Sequence, residues 1–511
     1  MRRFSPTTLA LAVPATLVAQ MAWADLTPAE VWGDWQQYME GMGYTVTATQ
    51  SEAGDTLTVS DISFGMQIPD NQGDMQMQIG TMQFQQLGDG TVAVILPDSM
   101  PMSMNMAPPA GQGAPVQMSM TLTQSGQSMI ASGSPDQIIS TYAADTMGIV
   151  LNQIVVEGTT MGDEAMQMNL LASNVSNVTT MTGQGETRGY DQRGTASSVT
   201  YEMVVAPPDE PATVNMQGEM QALAYETQGT VPNTMTNATD MSAMIAAGFD
   251  VKGTLTYAGT QVIADVEDPQ SGGMAFNASS DSGTFGVEMG KAGLVYTADQ
   301  NNLKISTKTG DLPFPIDLSM AKTAFNLMMP VTPSDDPQDF AFGLTMGDFE
   351  MSDMIWGIFD PTSQLPRDPA TIALDLTGTA KMFIDFLNPE SAAMMATQTP
   401  GELETLKMNN LVVDLAGARL DGNGDFTFDN TDTTTFPGMP KPVGEVNLSL
   451  VGGNGLMDKL VAMGLLPQDQ AMGARMMMGL FAVPGDAPDS LSSKIEFNEE
   501  GQILANGQRI Q

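Results

Sequence analysis

Val443-Gly444-Glu445-Val446-Asn447-Leu448-Ser449-Leu450-Val451-Gly452-Gly453-Asn454 opens the stretch that decides the fold. Val446, Leu448 and Leu450 alternate with Glu445, Asn447 and Ser449, the period of a strand with one apolar face and one wet face. Gly452-Gly453 stops the strand. Asn454 is placed to cap a helix whose stripe is Leu456, Met457, Leu460 and Val461. Gly464 stands where a left-handed C-terminal residue is wanted, and Pro467 opens a second helix bearing Ala471, Met472, Met476, Leu480 and Phe481. Pro484-Gly485 ends it. Leu491, Ser493, Ile495 and Phe497 then alternate with Ser492, Lys494 and Glu496, and Glu500-Gly501 turns the chain back through Ile503 and Leu504. None of these elements carries catalytic chemistry.

Upstream, the same one-sided alternation recurs in Ile372/Leu374/Leu376, in Leu411/Val413/Leu415 and in Met75/Met77/Ile79. Leu87 to Gly90 makes a turn, and residues 166–309 read as strand after strand with Gly, Asn, Asp and Ser turns. Thr27-Pro28-Ala29-Glu30 is a capping box that starts a helix with Val31, Trp35, Tyr38, Met39 and Met42 on one face. Short helices are expected after Ser134-Pro135-Asp136 through Tyr142, at 241–247, at 320–329 and at 351–359. A Pro/Gly/Met-rich loop is expected over 97–115, and linkers at 206–211 and 330–337. Few helices and many strands without regular alternation predict a mainly β (α+β) fold, large antiparallel sheets with short helices packed on them. The chain divides into a signal peptide (1–24), an N-terminal helix plus β-rich region (25–205), a central β-rich region (206–345) and a C-terminal α+β region (346–511).

Arg2 and Arg3, an apolar run from Leu9 to Ala22 and then Ala22-Trp23-Ala24 form a secretory signal with cleavage after Ala24, which predicts a periplasmic protein. The apolar run is too short to span a bilayer, and nothing later in the chain is long enough. The net charge of −41 excludes nucleic acid and disfavours anionic membrane surfaces, because both require a basic patch. The sequence contains no histidine and no cysteine, so Ser-His-Asp and Cys-His nucleophiles, zinc sites and haem ligation by those residues are excluded.

Methionine is abundant, 45 residues, and Met100-Pro-Met102-Ser-Met104-Asn-Met106 alternates, as do Met75/Met77, Met118/Met120 and Met166/Met168. Thioethers bind Cu(I), yet period-2 methionine is also what a half-buried strand produces; the Met100 to Met106 segment is where a strand explanation is strained. Asp421-Gly-Asn423-Gly-Asp425 has the early spacing of a calcium loop, but Phe426 occupies the glycine position and Asp432 replaces the bidentate glutamate. It reads as a hairpin turn. Asp375 and Asp414 lie opposite the apolar faces of their strands, as solvated residues do. No catalytic, cofactor-binding or metal-binding residue is nominated, no cofactor is expected, and the protein reads as a non-enzyme.

The run Gly453-Asn-Gly-Leu-Met-Asp-Lys-Leu-Val-Ala-Met-Gly-Leu-Leu-Pro467, then Met476 to Ala482 and Leu504-Ala-Asn-Gly-Gln-Arg509, resembles an uncharacterised alphaproteobacterial family, "domain of unknown function 2125". Phe359-Asp360-Pro361 and Leu365-Pro366-Arg367-Asp368-Pro369 carry the same resemblance, which is strongest from about Gly347 onward. That family is distantly similar to AsmA-type envelope proteins. The similarity implies a curved sheet whose apolar inner face holds lipid or another hydrophobe, and no catalytic motif accompanies it. The alternatives are a Met-rich copper-binding exported protein or a purely structural envelope protein.

Overall fold

The computed structural model of the chain describes residues 26–68, 73–106, 114–162, 165–183, 185–206, 211–234, 240–269, 272–310, 312–388, 391 and 399–511. The signal segment and its cleavage position lie outside them, as do most of the 206–211 linker and residues 107–113 of the expected loop. Strand makes up 64% and helix 12%, all strands belonging to one antiparallel sheet, so the mainly β expectation holds.

The sheet is a meander. Strands near in sequence are near in space, from Thr45–Ala53 to Gln508–Arg509. Where a long strand meets two short ones, the short pair lies end to end. Asp250–Tyr257 and Gly259–Glu267 both run along Thr213–Pro232, and Met274–Ser280 with Ser282–Gly290 run along Gly293–Thr309. Among the described residues no ladder joins the first strand to the last, so the sheet is open. The ladder continues across residues 206 and 346.

A line of left-handed residues crosses the strands at one level. Asn174, Ala222, Asn302 and Asp348 have φ of 49°, 47°, 52° and 51°. At each the register skips a residue on both strands, leaving Asp145 beside Asn174, Ser197 beside Ala222 and Ala321 beside both Asn302 and Asp348. The register is the same on either side of each gap, so these are local interruptions of the ladder, aligned from strand to strand. Asn and Asp tolerate this conformation, and side chains pin it. Asn174 Nδ2 donates to Ser197 Oγ at 2.9 Å, and Asn302 Nδ2 to Asp281 Oδ2 at 2.9 Å.

Five helices are described: α1 (Pro28–Gly41), α2 (Met241–Ala246), α3 (Asp353–Phe359), α4 (Gly453–Ala462) and α5 (Gln468–Phe481). The capping box of α1 forms as expected: Thr27 Oγ1 accepts from Glu30 N while Glu30 Oε2 accepts from Thr27 N. This helix covers the hydrophobic core, where Val31 and Trp32 pack with Leu57, Val59, Ile62, Met82, Phe84 and Val92. Trp32 and Trp35 flank Phe84 with ring centroids 5.9 and 5.7 Å away.

Several expectations are corrected. Residues 137–142 belong to the strand Gln137–Val156, reached by a tight hairpin from Ser128–Ser134 in which Ser134 faces Gln137. Ile138 and Tyr142 fit a helix face, but on the strand both fall on the buried side. Residues 320–329 lie in the strand Ile316–Met329, because pairing on both edges overrides the helix preference of Met, Ala and Lys. Met100 to Met106 lie in the strand Ser99–Met106 rather than a loop. Asp421 to Asp425 form neither a turn nor a calcium loop but the middle of the strand Ala418–Asp429. The hairpin before it turns at Ala416-Gly417, both left-handed, as a type I′ turn requires.

Asn454 does not cap α4, whose N-cap is the left-handed Gly452. Asp489 supplies the acceptors from across the sheet end, its carboxylate accepting from Gly455 N at 2.8 Å and Asn454 N at 3.2 Å. Burial opposes ionisation of Asp489, but those N–H donors outweigh it and hold the carboxyl below its ordinary 3.8. Its stabilisation is therefore complete above that value and is lost as pH falls through the lower folded one. Asp489→Ala is expected to cost about 0.5–2 kcal/mol, as helix-cap losses do. It should also flatten the acid limb of a urea-unfolding series below the ordinary carboxylate range; an unchanged limb would exclude the cap.

Candidate hydrophobe-binding face

The register carries one apolar face across the whole sheet. One row of directly opposed residues runs Tyr225, Leu255, Phe285, Ala298, Phe325, Leu344, Leu374 and Leu411. The next runs Val287, Tyr296, Leu327, Phe342, Leu376 and Met408. The three strands singled out in the sequence join here: Ile372 faces Val413, Leu374 faces Leu411, and Leu448 lies beyond Gly422. That glycine makes room, since an added Cβ would lie 2.8 Å from Leu448 Cδ2. The reverse face carries Asp375, Asp414, Asp421 and Asp425, and Asp414 and Asp421 both accept from Arg419.

In the N-terminal half this face is largely thioether. Met66, Met75, Met104 and Met118 are opposed in one row, and Phe64, Met77, Met102 and Met120 in the next. Met203 faces both Met168 and Met216 further along. The alternating methionine pairs of the sequence thus become neighbours, which their spacing could not show.

Beside α1 the face opens into a cavity of about 370 Å³. Trp35, Tyr38 and Met39 form one wall; Phe64, Met77, Ile79, Met129, Ile138 and Met181 form the other. At its margin Arg188 donates to Asp34 at 2.5 Å, both side chains almost fully buried. Burial raises the Asp34 carboxyl above its ordinary value despite the guanidinium. Burial, with Tyr38 and Tyr225 nearby, pushes the Tyr190 hydroxyl up to about 12. Tyr225 Oη donates to Asn177 Oδ1 at 3.0 Å and Tyr142 Oη to Gln124 Oε1 at 2.6 Å. These phenols stay protonated and act as hydrogen-bonding ends of apolar surfaces, not as bases. Among the described residues no group of three or more His, Cys, Asp or Glu could hold a metal. Sequence reasoning missed the cavity because Asp34 and Arg188 are 154 positions apart.

The family model described as "Uncharacterized protein conserved in bacteria (DUF2125)" matches residues 252–506. The chain belongs to this family. The DUF2125 match begins well before Gly347 and takes in the Leu/Phe rows from Leu255 onward, Asn302 and Asp348, and α3 to α5; α1 and the methionine rows precede it. The motifs that carried the resemblance have structural employment. Asp360, almost fully buried, accepts from Gln364 N and Leu365 N at 2.8 and 2.7 Å. Arg367 pairs with Asp353, reaches Met351 O at 2.9 Å and lies 5.5 Å from the Trp356 ring centroid. Asn506 Nδ2 donates to Phe481 O, the last carbonyl of α5, at 2.9 Å. No curated protein matches the chain. Two solved structures are similar at 8% identity. One is the alcaligin outer membrane receptor FauA from Bordetella pertussis, covering 90% of this chain and 69% of that one with a TM-score of 0.14. The other is the ferric citrate transporter FecA in the unliganded form, at 91%, 76% and 0.16. Scores of that size carry no argument.

Proposed function

We propose that this DUF2125 protein is a non-enzymatic cell-envelope protein that holds lipid or another hydrophobe along the apolar face of its sheet. The supporting observation is the mismatch between face and cover. The apolar rows cross the whole meander, whereas the core under α1 is confined to residues between Leu26 and Ile138. Further along, Phe285 and Ile372 are exposed and most row residues are only half-buried. Uncovered apolar rows of this extent mark a binding surface. The signal segment read in the sequence supports the periplasm as the compartment of this reading. No helix among the described residues is long and apolar enough to cross a membrane.

The protein purified from the envelope without detergent should carry phospholipid visible by native mass spectrometry. Leu374→Asp puts a charge in the middle of a row and should abolish that adduct while leaving the far-ultraviolet circular dichroism unchanged. A lipid-free protein that also fails to bind a fluorescent fatty acid would overturn the reading.

The methionine rows favour a second reading, Cu(I) carriage, because they set thioethers of adjacent strands side by side. Changing Met75, Met77, Met102, Met104, Met118 and Met120 to Leu keeps the volume and removes the sulfur. Stoichiometric Cu(I) binding lost in that variant would establish it; wild-type protein that fails to compete with a Cu(I) chelator would dismiss it.

A further inference from the structure

The long strands facing α3, α4 and α5 end together. Met351, Ala370, Leu415, Ala418, Val451 and Ser490 lie at one end of the sheet, and the three helices extend the chain there. Each is held in place: α3 by Arg367, α4 by Asp489, and α5 by Asn506 and by Arg475, which donates to Asp458 of α4 at 2.5 Å. Yet among the described residues the apolar stripes of α3 and α5 are unpartnered. Met472, Met476 and Leu480 follow one another at helical spacing on α5, with Met476 72% exposed, and Met354 and Ile358 do the same on α3, Ile358 at 61%. A helix amphipathic in this way without tertiary cover rests against something apolar.

The charge distribution selects the occupant. The chain carries −41, but the segment 453–482 contains only Asp458, Lys459, Asp469 and Arg475, which cancel. Asp353, Asp360 and Asp368 against Arg367 on and after α3, with Asp486 and Asp489 after α5, leave this end net negative, so it has no basic excess to draw it to an anionic surface. A zwitterionic lipid surface fits it. Continuity with the apolar face points the same way. A cavity of about 560 Å³ lies between α3 and the strand ends, lined by Trp356, Phe349, Met351 and Leu415. Phe349 and Met351 belong to the apolar face, and Met351 opposes Leu318. We infer that α3 and α5 seat this end of the protein on a zwitterionic phospholipid surface, so that an acyl chain passes between bilayer and apolar face without crossing water. The inference deepens the proposed function and rests on it for the direction of transfer, though not for the docking itself.

The test is flotation of the full mature chain with phosphatidylcholine vesicles. Wild-type protein should float, equally in low and high salt, because apolar burial rather than charge drives it. The triple variant Met472→Glu/Met476→Glu/Leu480→Glu should bind about tenfold or more weakly, since three charged side chains replace the apolar ones that insert. All three positions are exposed, so its thermal midpoint should match the wild type. Its uptake of a fluorescent fatty acid from solution should also be unchanged, whereas Leu374→Asp should lose that uptake and still float. Wild-type protein that stays at the bottom of the gradient overturns the docking. So does a triple variant that floats as well as the parent, or a wild-type dimer in vesicle-free sedimentation that the triple variant dissolves, which would make a second copy the occupant.

Discussion

Asp34→Leu, made alone, should lower the unfolding free energy by about 3–5 kcal/mol, the cost of leaving a buried guanidinium without its counter-charge. The pair is 4% and 7% exposed at Arg188 and Asp34, so water cannot substitute for the lost carboxylate. Arg188→Met in the same background should recover most of that loss, because two apolar side chains of similar volume replace a pair whose desolvation nearly cancels its attraction. Trp32 and Trp35 sit on α1 next to Asp34, so intrinsic fluorescence during urea unfolding reports this change directly. The sign with pH is also fixed. A carboxyl raised by burial binds its proton more tightly in the folded state, so its contribution favours low pH and weakens as pH rises through the raised value. A loss under 1 kcal/mol in the single variant, or no recovery in the double, would mean that the pair is solvated and that α1 is held by its apolar stripe alone.

One-sided strands were legible because side-chain period alone reports them: Ile372, Leu374 and Leu376 need no partner to reveal an apolar face. The helices α1, α4 and α5 were legible through Thr27, Gly464 and Pro467, which act within one turn. Register was not. Nothing in Met66, Met75, Met104 or Met118 specifies that they oppose one another, since that follows from hairpin lengths accumulated over four strands. The line of left-handed residues was hidden for a different reason. Asn174, Asn302 and Asp348 look like turn residues, and in a sense they are, but the chain continues straight on after one left-handed step. Ala222 adopts the same conformation with no sequence signal at all. The helix expected at 320–329 failed because Met, Ala and Lys suit helices locally, while ladders on both edges decide the outcome. Candidate chemistry was bounded by what the chain lacks; the cavity beside α1 required contacts no window of sequence contains.

Gly194→Ala should destabilise the protein by about 1–3 kcal/mol, the range for forcing atoms into an occupied space. Ordinarily a glycine inside a strand is a weakness, and alanine would gain about 0.5–1 kcal/mol from the less flexible unfolded chain. Gly194 is not in the left-handed region, so no backbone strain stands in the way of that gain. The obstacle is Tyr225, directly opposite in the ladder, whose ring lies across the glycine so that an added Cβ would stand 2.4 Å from its Cζ. Tyr201 covers Gly218 in the same manner, at 2.4 Å, from the same pair of strands. The ring cannot slide sideways while its hydroxyl holds Asn177. It must lift off the sheet, giving up that hydrogen bond and the contact with the backbone, and the steric term exceeds the entropic one. Tyr225→Ala in the Gly194→Ala background should remove the clash and show a strongly non-additive double-mutant cycle. The lifted ring would also stand in the apolar face, so fatty-acid affinity should fall in the single variant and return in the double. A Gly194→Ala protein as stable as its parent, or more so, would show that the ring does not rest on the glycine and that the aromatic rows do not form the floor of the face.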